Sequence, residues 1–226
     1  MSAFSVPAQV QQWQSWIHGD IYSEVMGMFL RRKMWLDVDQ MLGANPSVGL
    51  MPSSFWNFYH GNYAAAQSIA IRRQADKRGD TSSLWRLLKD IARKPDLLTR
   101  EVYVALLSEE QAGDELMVER ANRGWEKWAD SAGRRFDATI ASADARELER
   151  VAQSVKVYVD QHLAHDATAP TVALPPTFGE LHAAIDSIAE TFRKYALLLT
   201  GAWWDLDAVV QEGDWRAIFR KAWIEP

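Results

Sequence analysis

Residues 178–199 read FGELHAAIDSIAETFRKYALLL, and apolar side chains recur in this stretch at intervals of three and four residues. This spacing keeps one stripe of an α-helix apolar, and it is similar to the heptad repeat of packed helices. The stretch therefore predicts a long helix that packs in a bundle. The residues of the apolar stripe are Leu181, Ile185, Ile188, Phe192, Tyr195 and Leu199.

The same periodicity predicts helices along most of the remaining chain. A stripe that begins at Val10 and continues to about residue 42 predicts one long, bent helix, with Gly19 and Gly27 as its weak points. The second predicted helix runs from a cap at Ser53 or Ser54 to about Arg78.

Four more helices precede the opening stretch. A short one ends at Pro95, and the next is capped by Thr99. Residues 113–131 predict a solvent-facing helix with many charge pairs, and residues 144–164 predict a helix whose apolar stripe includes Val159 and His162. Period-two strands are missing from the sequence, so the predicted fold is an all-α, up-and-down bundle of about six to eight helices.

Length and composition limit the classes of protein that remain. The 226 residues predict a single domain over residues 1–226, with its core at about 10–200 and a C-terminal helical cap at 201–226. The absence of cysteine excludes a disulfide framework, a thiolate zinc site and a cysteine nucleophile. With no secretion signal and no apolar run of roughly 18 residues, we expect a soluble, cytoplasmic protein without membrane contact.

Charge and tryptophan content bear on the partners. The net charge of −5 argues against broad affinity for phosphate backbones, although a local basic patch stays open. The chain has 11 tryptophans, which favour a packed core or an interface over a base-stacking surface.

The stretch DQHLAHD at residues 160–166 carries the strongest chemical signal. His162 and His165 lie one helical turn apart, and imidazole serves as acid or base near neutral pH. Asp160 and Asp166 flank them and could orient a ring. Two other readings compete, a buried or dipole-stabilised helix end and a metal site, but a metal would need further ligands from other helices.

A second candidate is SIAIRRQADKR at residues 68–78. Arg72 precedes Asp76 by four residues, so a local ion pair is the default interpretation. The functional alternative is that Arg72 or Arg73 points into a cleft and binds phosphate with its planar guanidinium.

Four stretches in succession resemble the helical HEPN superfamily, specifically its abortive-infection AbiU-like branch, over roughly residues 10–200. They are FWNFYHGNYAAAQSIAIRRQAD (55–76), TSSLWRLLKDI (81–91), DQHLAHD (160–166) and the opening stretch. The resemblance implies a dimeric helical bundle. It also implies a bacterial defence or toxin-antitoxin protein that binds RNA or a nucleotide, in many members a metal-independent endoribonuclease.

The motif of that family is an arginine followed a few residues later by a histidine. Carried onto this chain, His165 matches the histidine and Asp160 matches a polar position, but Val159 stands six residues before His165, where the arginine is expected. If the protein cleaves RNA, we predict that His165 acts as general acid or base, that Asp160 orients the site, and that Arg72 or Arg73 binds phosphate in place of the missing motif arginine. His162 and Asp166 are further candidates for substrate contact.

The expected partners are a second copy packed through residues 144–164, RNA or a nucleotide, and an antitoxin or another protein, with no cofactor. The competing interpretation from another class is a non-catalytic helical module that binds a protein through its tryptophan-rich helices.

Overall fold

The computed structural model describes residues 6–45, 54–108, 115–163, 175–209 and 215–220. Over these residues the chain forms eight α-helices of nine or more residues and no β-strand, so the predicted all-α helical bundle is confirmed. The helices are α1 Ala8–Trp16, α2 Tyr22–Ala44, α3 Ser54–Gln74, α4 Leu84–Arg93, α5 Arg100–Ser108, α6 Glu115–Trp125, α7 Ala138–Tyr158 and α8 Phe178–Thr200.

Helix α8, formed by the stretch that opened the sequence, contacts α1, α2, α3, α5 and α7. All six residues of its predicted stripe are 0% exposed. A capping box between Thr177 and Glu180 begins the helix, and Gly201, with φ of 69°, ends it in the left-handed conformation. Because each large apolar side chain contributes roughly 1.5–3 kcal/mol when fully buried, this helix anchors the core.

Helices α2 and α3 run antiparallel to each other. On α2 and α3, the carbonyl of Met28 accepts a hydrogen bond from Gln67 at 2.9 Å, and the carbonyl of Met34 accepts one from Tyr59 at 3.4 Å. Residue numbers therefore rise along α2 as they fall along α3. This arrangement brings the carboxyl end of α3 to the amino end of α2.

The predicted bend in the first long helix is confirmed at Gly19. Residues Ile17–Ile21 form a π-helical turn between α1 and α2, and Gly19 has non-helical φ and ψ of −93° and −106°. The predicted weak point at Gly27 is wrong, because this residue lies inside the regular helix α2. Its missing Cβ instead makes room for Arg31, whose Nη1 would lie 3.1 Å from a Cβ placed there.

The second helix ends earlier than the sequence predicted. Helix α3 stops at Gln74 instead of Arg78. Asp76 accepts hydrogen bonds from both the backbone and the side chain of Arg78, and these bonds fix a turn in place of a further helical turn.

Two other boundaries also differ from prediction. Helix α6 ends at Trp125, six residues before the predicted end at residue 131. It is not solvent-facing throughout, because the ring of Trp125 is fully buried and its indole donates to the carbonyl of Gly133 at 3.1 Å. Helix α7 begins at Ala138, six residues before the predicted start, because Asp137 caps the amide of Thr139 at 2.9 Å.

Tryptophans in the described part of the chain mostly serve packing. Trp13, Trp35, Trp125 and Trp128 are at most 9% exposed, while Trp203 is 69% exposed. Most buried apolar residues from Val6 to Leu206 belong to one connected core, and the exceptions are Trp35, Val38 and Tyr63. Among the described residues, no helix has the length and apolarity that a membrane span requires.

Candidate functional site

The DQHLAHD stretch begins in a π-helical turn, Val159–Leu163, that extends α7. Such turns are rare, and they occur frequently at functional sites because they re-aim side chains. Val159 is 3% exposed and packs in the core, whereas His162 is exposed and its ring stacks on Tyr158 at 5.1 Å. The turn therefore separates a buried valine from a solvent-facing histidine.

The prediction that His162 shares the buried stripe of α7 is wrong. In a π turn each amide bonds to the carbonyl five residues earlier, so an extra residue enters the turn and the stripe rotates. Val155 and Val159 stay buried, but His162 turns outward.

Arg72 approaches this turn from α3. Its Nε lies 2.5 Å from Oδ1 of Asp160, and the two side chains are 30% and 38% exposed. The default interpretation, a local pair with Asp76, is wrong, because Asp76 lies beyond the end of α3 and bonds to Arg78 at 3.1 Å. Within the described part of the chain, Arg72 donates a hydrogen bond through Nε to Asp160, and Arg72 also lines the adjoining cleft.

Arg73 takes a different direction. Neighbouring residues on a helix point about 100° apart. Arg73 Nη1 accordingly lies 3.2 Å from Oε2 of Glu24 on α2, and its side chain is 63% exposed. Of the two predicted arginines, Arg72 is the one that meets Asp160.

The structure thus brings together Arg72, Asp160 and the π turn that carries His162. His165 and Asp166, the other two predicted residues, lie outside the described residues. The geometry of the site is therefore given by the arginine, the first aspartate and the turn.

A polar cleft of about 690 Å³ opens beside Arg72. Four arginines line it, one from α2, two from α3 and one from the loop before α4. They are Arg31, Arg72, Arg73 and Arg78, and the carboxylates of Asp20, Glu24, Asp76 and Asp80 line the same cleft.

These carboxylates hold the arginines in place. Glu24 lies between two of them, with Oε1 at 3.6 Å from Arg31 Nη2 and Oε2 at 3.2 Å from Arg73 Nη1. Partial burial raises the pKa of Asp76, but hydrogen bonds from the backbone and side chain of Arg78 outweigh it and hold that pKa below its usual value. The cleft therefore carries fixed charges of both signs.

Arg31, Arg78 and Asp20 were not among the residues predicted from the sequence. Asp20 lies in the first π turn, Arg31 lies one helix further on, and Arg78 follows α3, so the fold alone brings them together. The only local signal was the unusual backbone expected at Gly19.

A separate aromatic cluster collects two histidines that are isolated in the sequence. The indole of Trp35 donates to Nδ1 of His60 at 2.9 Å and stacks on Tyr63 at 5.0 Å. Tyr63 Oη and Nε2 of His182 lie 2.8 Å apart. Burial lowers the pKa of His182 and the guanidinium of Arg32 lowers it further, against an opposing effect of Asp186. This cluster joins α2, α3 and α8, outside the main hydrophobic core.

Within the described ranges, no three histidine, aspartate or glutamate side chains form a group that could hold a metal ion. No protein-family model, no curated protein and no solved structure matches the chain.

Proposed function

We propose that this protein binds RNA at the polar cleft and cleaves it as a metal-independent endoribonuclease, in the manner of HEPN proteins of bacterial defence and toxin-antitoxin systems. One observation carries the proposal: the 2.5 Å contact between Arg72 Nε and Asp160 Oδ1. It puts a permanent positive charge beside Asp160, the first residue of the DQHLAHD stretch, which contains no arginine or lysine.

The chemistry requires this charge. In RNA cleavage the 2′-oxygen attacks the adjacent phosphorus, a base takes the 2′-proton, and the 5′-oxygen leaves with a proton from an acid. Negative charge develops on the phosphate oxygens during the attack, and a fixed guanidinium stabilises it. In the proposed site Arg72 binds the phosphate, His165 transfers protons, and Asp160 positions Arg72.

The position of Val159 supports a cation from another helix. Val159 is 3% exposed, so an arginine in its place would have to bury a charged group in the core. Arg72 reaches the same turn from α3 without that cost, because its side chain stays 30% exposed. The absence of the motif arginine is therefore compatible with an active site whose cation comes from α3 and whose histidine comes from the DQHLAHD stretch.

The direct test is cleavage of end-labelled RNA by the purified protein in the presence of EDTA. We expect products with 2′,3′-cyclic phosphate ends, and we expect His165→Ala to lose cleavage without a change in melting temperature. Cleavage that survives His165→Ala would contradict the role of this histidine, and the absence of cleavage by folded wild-type protein would contradict the nuclease proposal.

The expected homodimer is part of this proposal. In α7 the outward-facing residues between 144 and 158 are charged or polar, namely Arg146, Glu147, Arg150, Gln153 and Ser154. An interface through this helix would therefore be polar over most of its length, with Leu163, 38% exposed, at one end. Sedimentation equilibrium at micromolar concentration measures whether the chain forms this dimer.

A specific surface favours a second candidate function, a non-catalytic protein-interaction module. Phe55 and Phe58, at the start of α3, are 56% and 68% exposed, and partly buried Trp56 and Tyr59 lie beside them. Exposed aromatic groups of this kind commonly anchor protein interfaces. If the protein is such a module, Phe58→Asp abolishes association with its partner, whereas His165→Ala leaves association unchanged.

A further inference from the structure

Beside Arg72, the cleft extends to two arginines that the proposed reaction does not use. The side chain of Arg73 is 63% exposed and that of Arg78 is 67% exposed, so most of each side chain is in contact with solvent. Each forms an ion pair through one nitrogen at about hydrogen-bond distance, 3.2 Å to Glu24 and 3.1 Å to Asp76. A guanidinium has five N–H donors, so both arginines retain donors for a ligand.

The loop that carries Arg78 is held in a fixed conformation. Thr81 donates to the carbonyl of Arg78 at 3.1 Å, Arg86 donates to the carbonyl of Thr81 at 2.7 Å, and Ser83 donates to the carbonyl of Asp76 at 2.6 Å. The backbone at Arg78 is therefore preorganised, and binding a ligand there does not require the loop to be ordered first.

We propose that Arg73 and Arg78 form a second phosphate subsite, so that the ligand of the cleft is an oligoribonucleotide with at least two backbone phosphates. This inference rests on the proposed function, since Arg72 is taken to hold the phosphate that reacts. The cleft volume of about 690 Å³ exceeds what one phosphate occupies and lies in the range of pockets for larger ligands.

The balance of charges in the cleft explains why length matters. Four carboxylates offset the four arginines, so a single phosphate must compete with carboxylates and binds weakly. Two phosphates on one chain bind together, because the first contact gives the second a high effective concentration. Binding should therefore rise steeply with the number of nucleotides.

The test is fluorescence anisotropy with 5′-fluorescein oligouridylates of two and eight nucleotides. The probes carry 2′-O-methyl groups, so that the protein cannot cleave them during the measurement. We expect wild type to bind the eight-nucleotide probe at least tenfold more tightly than the two-nucleotide probe. Arg73→Gln and Arg78→Gln should each weaken binding of the longer probe about tenfold and of the shorter one less than twofold. The salt dependence of each variant should fall by about 0.7 in slope, the value for one single-strand phosphate contact.

Arg123→Gln is the matched control. Arg123 is 64% exposed, close to the exposure of Arg78, and pairs with Glu119, four residues away, at 3.7 Å. It lies on α6, outside the proposed dimer interface, and does not line the cleft. We expect this variant to bind like wild type. Equal weakening by Arg123→Gln would assign the effect to general surface charge and overturn the subsite.

The two proposals fail in different ways. If wild type does not bind the longer probe, or if Arg78→Gln binds it like wild type, the subsite is wrong even where cleavage depends on His165. If binding depends on Arg78 while unmodified RNA stays intact, the subsite stands and the nuclease proposal fails. Where RNA is cleaved, Arg78→Gln should raise KM for long substrates and leave kcat unchanged.

Discussion

The pair of Arg72 and Asp160 should contribute little to folding, because both side chains are partly in water. They are 30% and 38% exposed, and exposed ion pairs contribute about 0.2–1 kcal/mol. For a chain of this size, 1 kcal/mol corresponds to about 2–4 °C in Tm. We therefore predict that Arg72→Gln lowers Tm by at most about 4 °C.

A double-mutant cycle measures the coupling itself. Urea unfolding of wild type, Arg72→Gln, Asp160→Asn and the double variant should give a coupling free energy below about 1 kcal/mol. The pair of Arg150 and Glu147 on α7, 71% and 50% exposed, provides the reference cycle. A coupling free energy of about 3 kcal/mol or more, the range for a broken buried ion pair, would show that the contact mainly stabilises the packing of α3 against the end of α7. That result would refute the interpretation of Arg72 and Asp160 as functional residues.

Three further predictions concern the fold. Phe192→Ala, at a fully buried position of α8, should lower the free energy of unfolding in urea by about 3–5 kcal/mol. Glu190→Ala, on the exposed face of the same helix, should lower it by less than about 0.5 kcal/mol, and similar losses for the two variants would contradict the packing. Gly201→Ala should lower Tm more than Gly133→Ala. Both glycines have positive φ, 69° and 71°, but only at Gly201 would a Cβ meet a side chain, 2.4 Å from Cδ2 of Leu107. Equal melting temperatures for the two variants would contradict this prediction. Burial holds the pKa of His182 in the folded protein below its usual 6.5, so as the pH falls the unfolded state binds a proton first. The stability of the protein should therefore fall as the pH drops below about 6.5. Tm should fall less steeply between about pH 7 and pH 5 in His182→Gln than in wild type, and an equal slope would contradict the lowered pKa of His182.

Helix content and the central helix could be predicted from the sequence, because apolar periodicity is a local signal. Every residue of the stripe from Leu181 to Leu199 is buried, and the bend lies at Gly19 as its backbone freedom indicated. Errors came where tertiary contacts override local preference. Trp125, whose ring is buried and bonds to the carbonyl of Gly133, is the last residue of α6. Asp76, which accepts hydrogen bonds from Arg78, lies in the turn that follows α3.

The candidate site could be predicted only in part. Asp160 and Arg72 were selected by residue type, but their contact spans 88 positions along the chain, and no periodicity reports such a distance. The outward turn of His162 could not be predicted either, because it follows from a π turn and not from the α-helical period. Arg78 carried no local signal, since it becomes part of a cleft only when α2 and α3 pack together.

The central claim is that Arg72 supplies the positive charge that the DQHLAHD stretch, without arginine or lysine, lacks. The most direct measurement is kcat/KM for RNA cleavage in EDTA by wild type, Arg72→Gln and Arg123→Gln, with Tm measured on the same samples. The loss of one group that stabilises developing charge costs about 10²–10³ in rate, so Arg72→Gln should fall by at least a hundredfold while Arg123→Gln matches wild type. Equal rates for wild type and Arg72→Gln would contradict the claim.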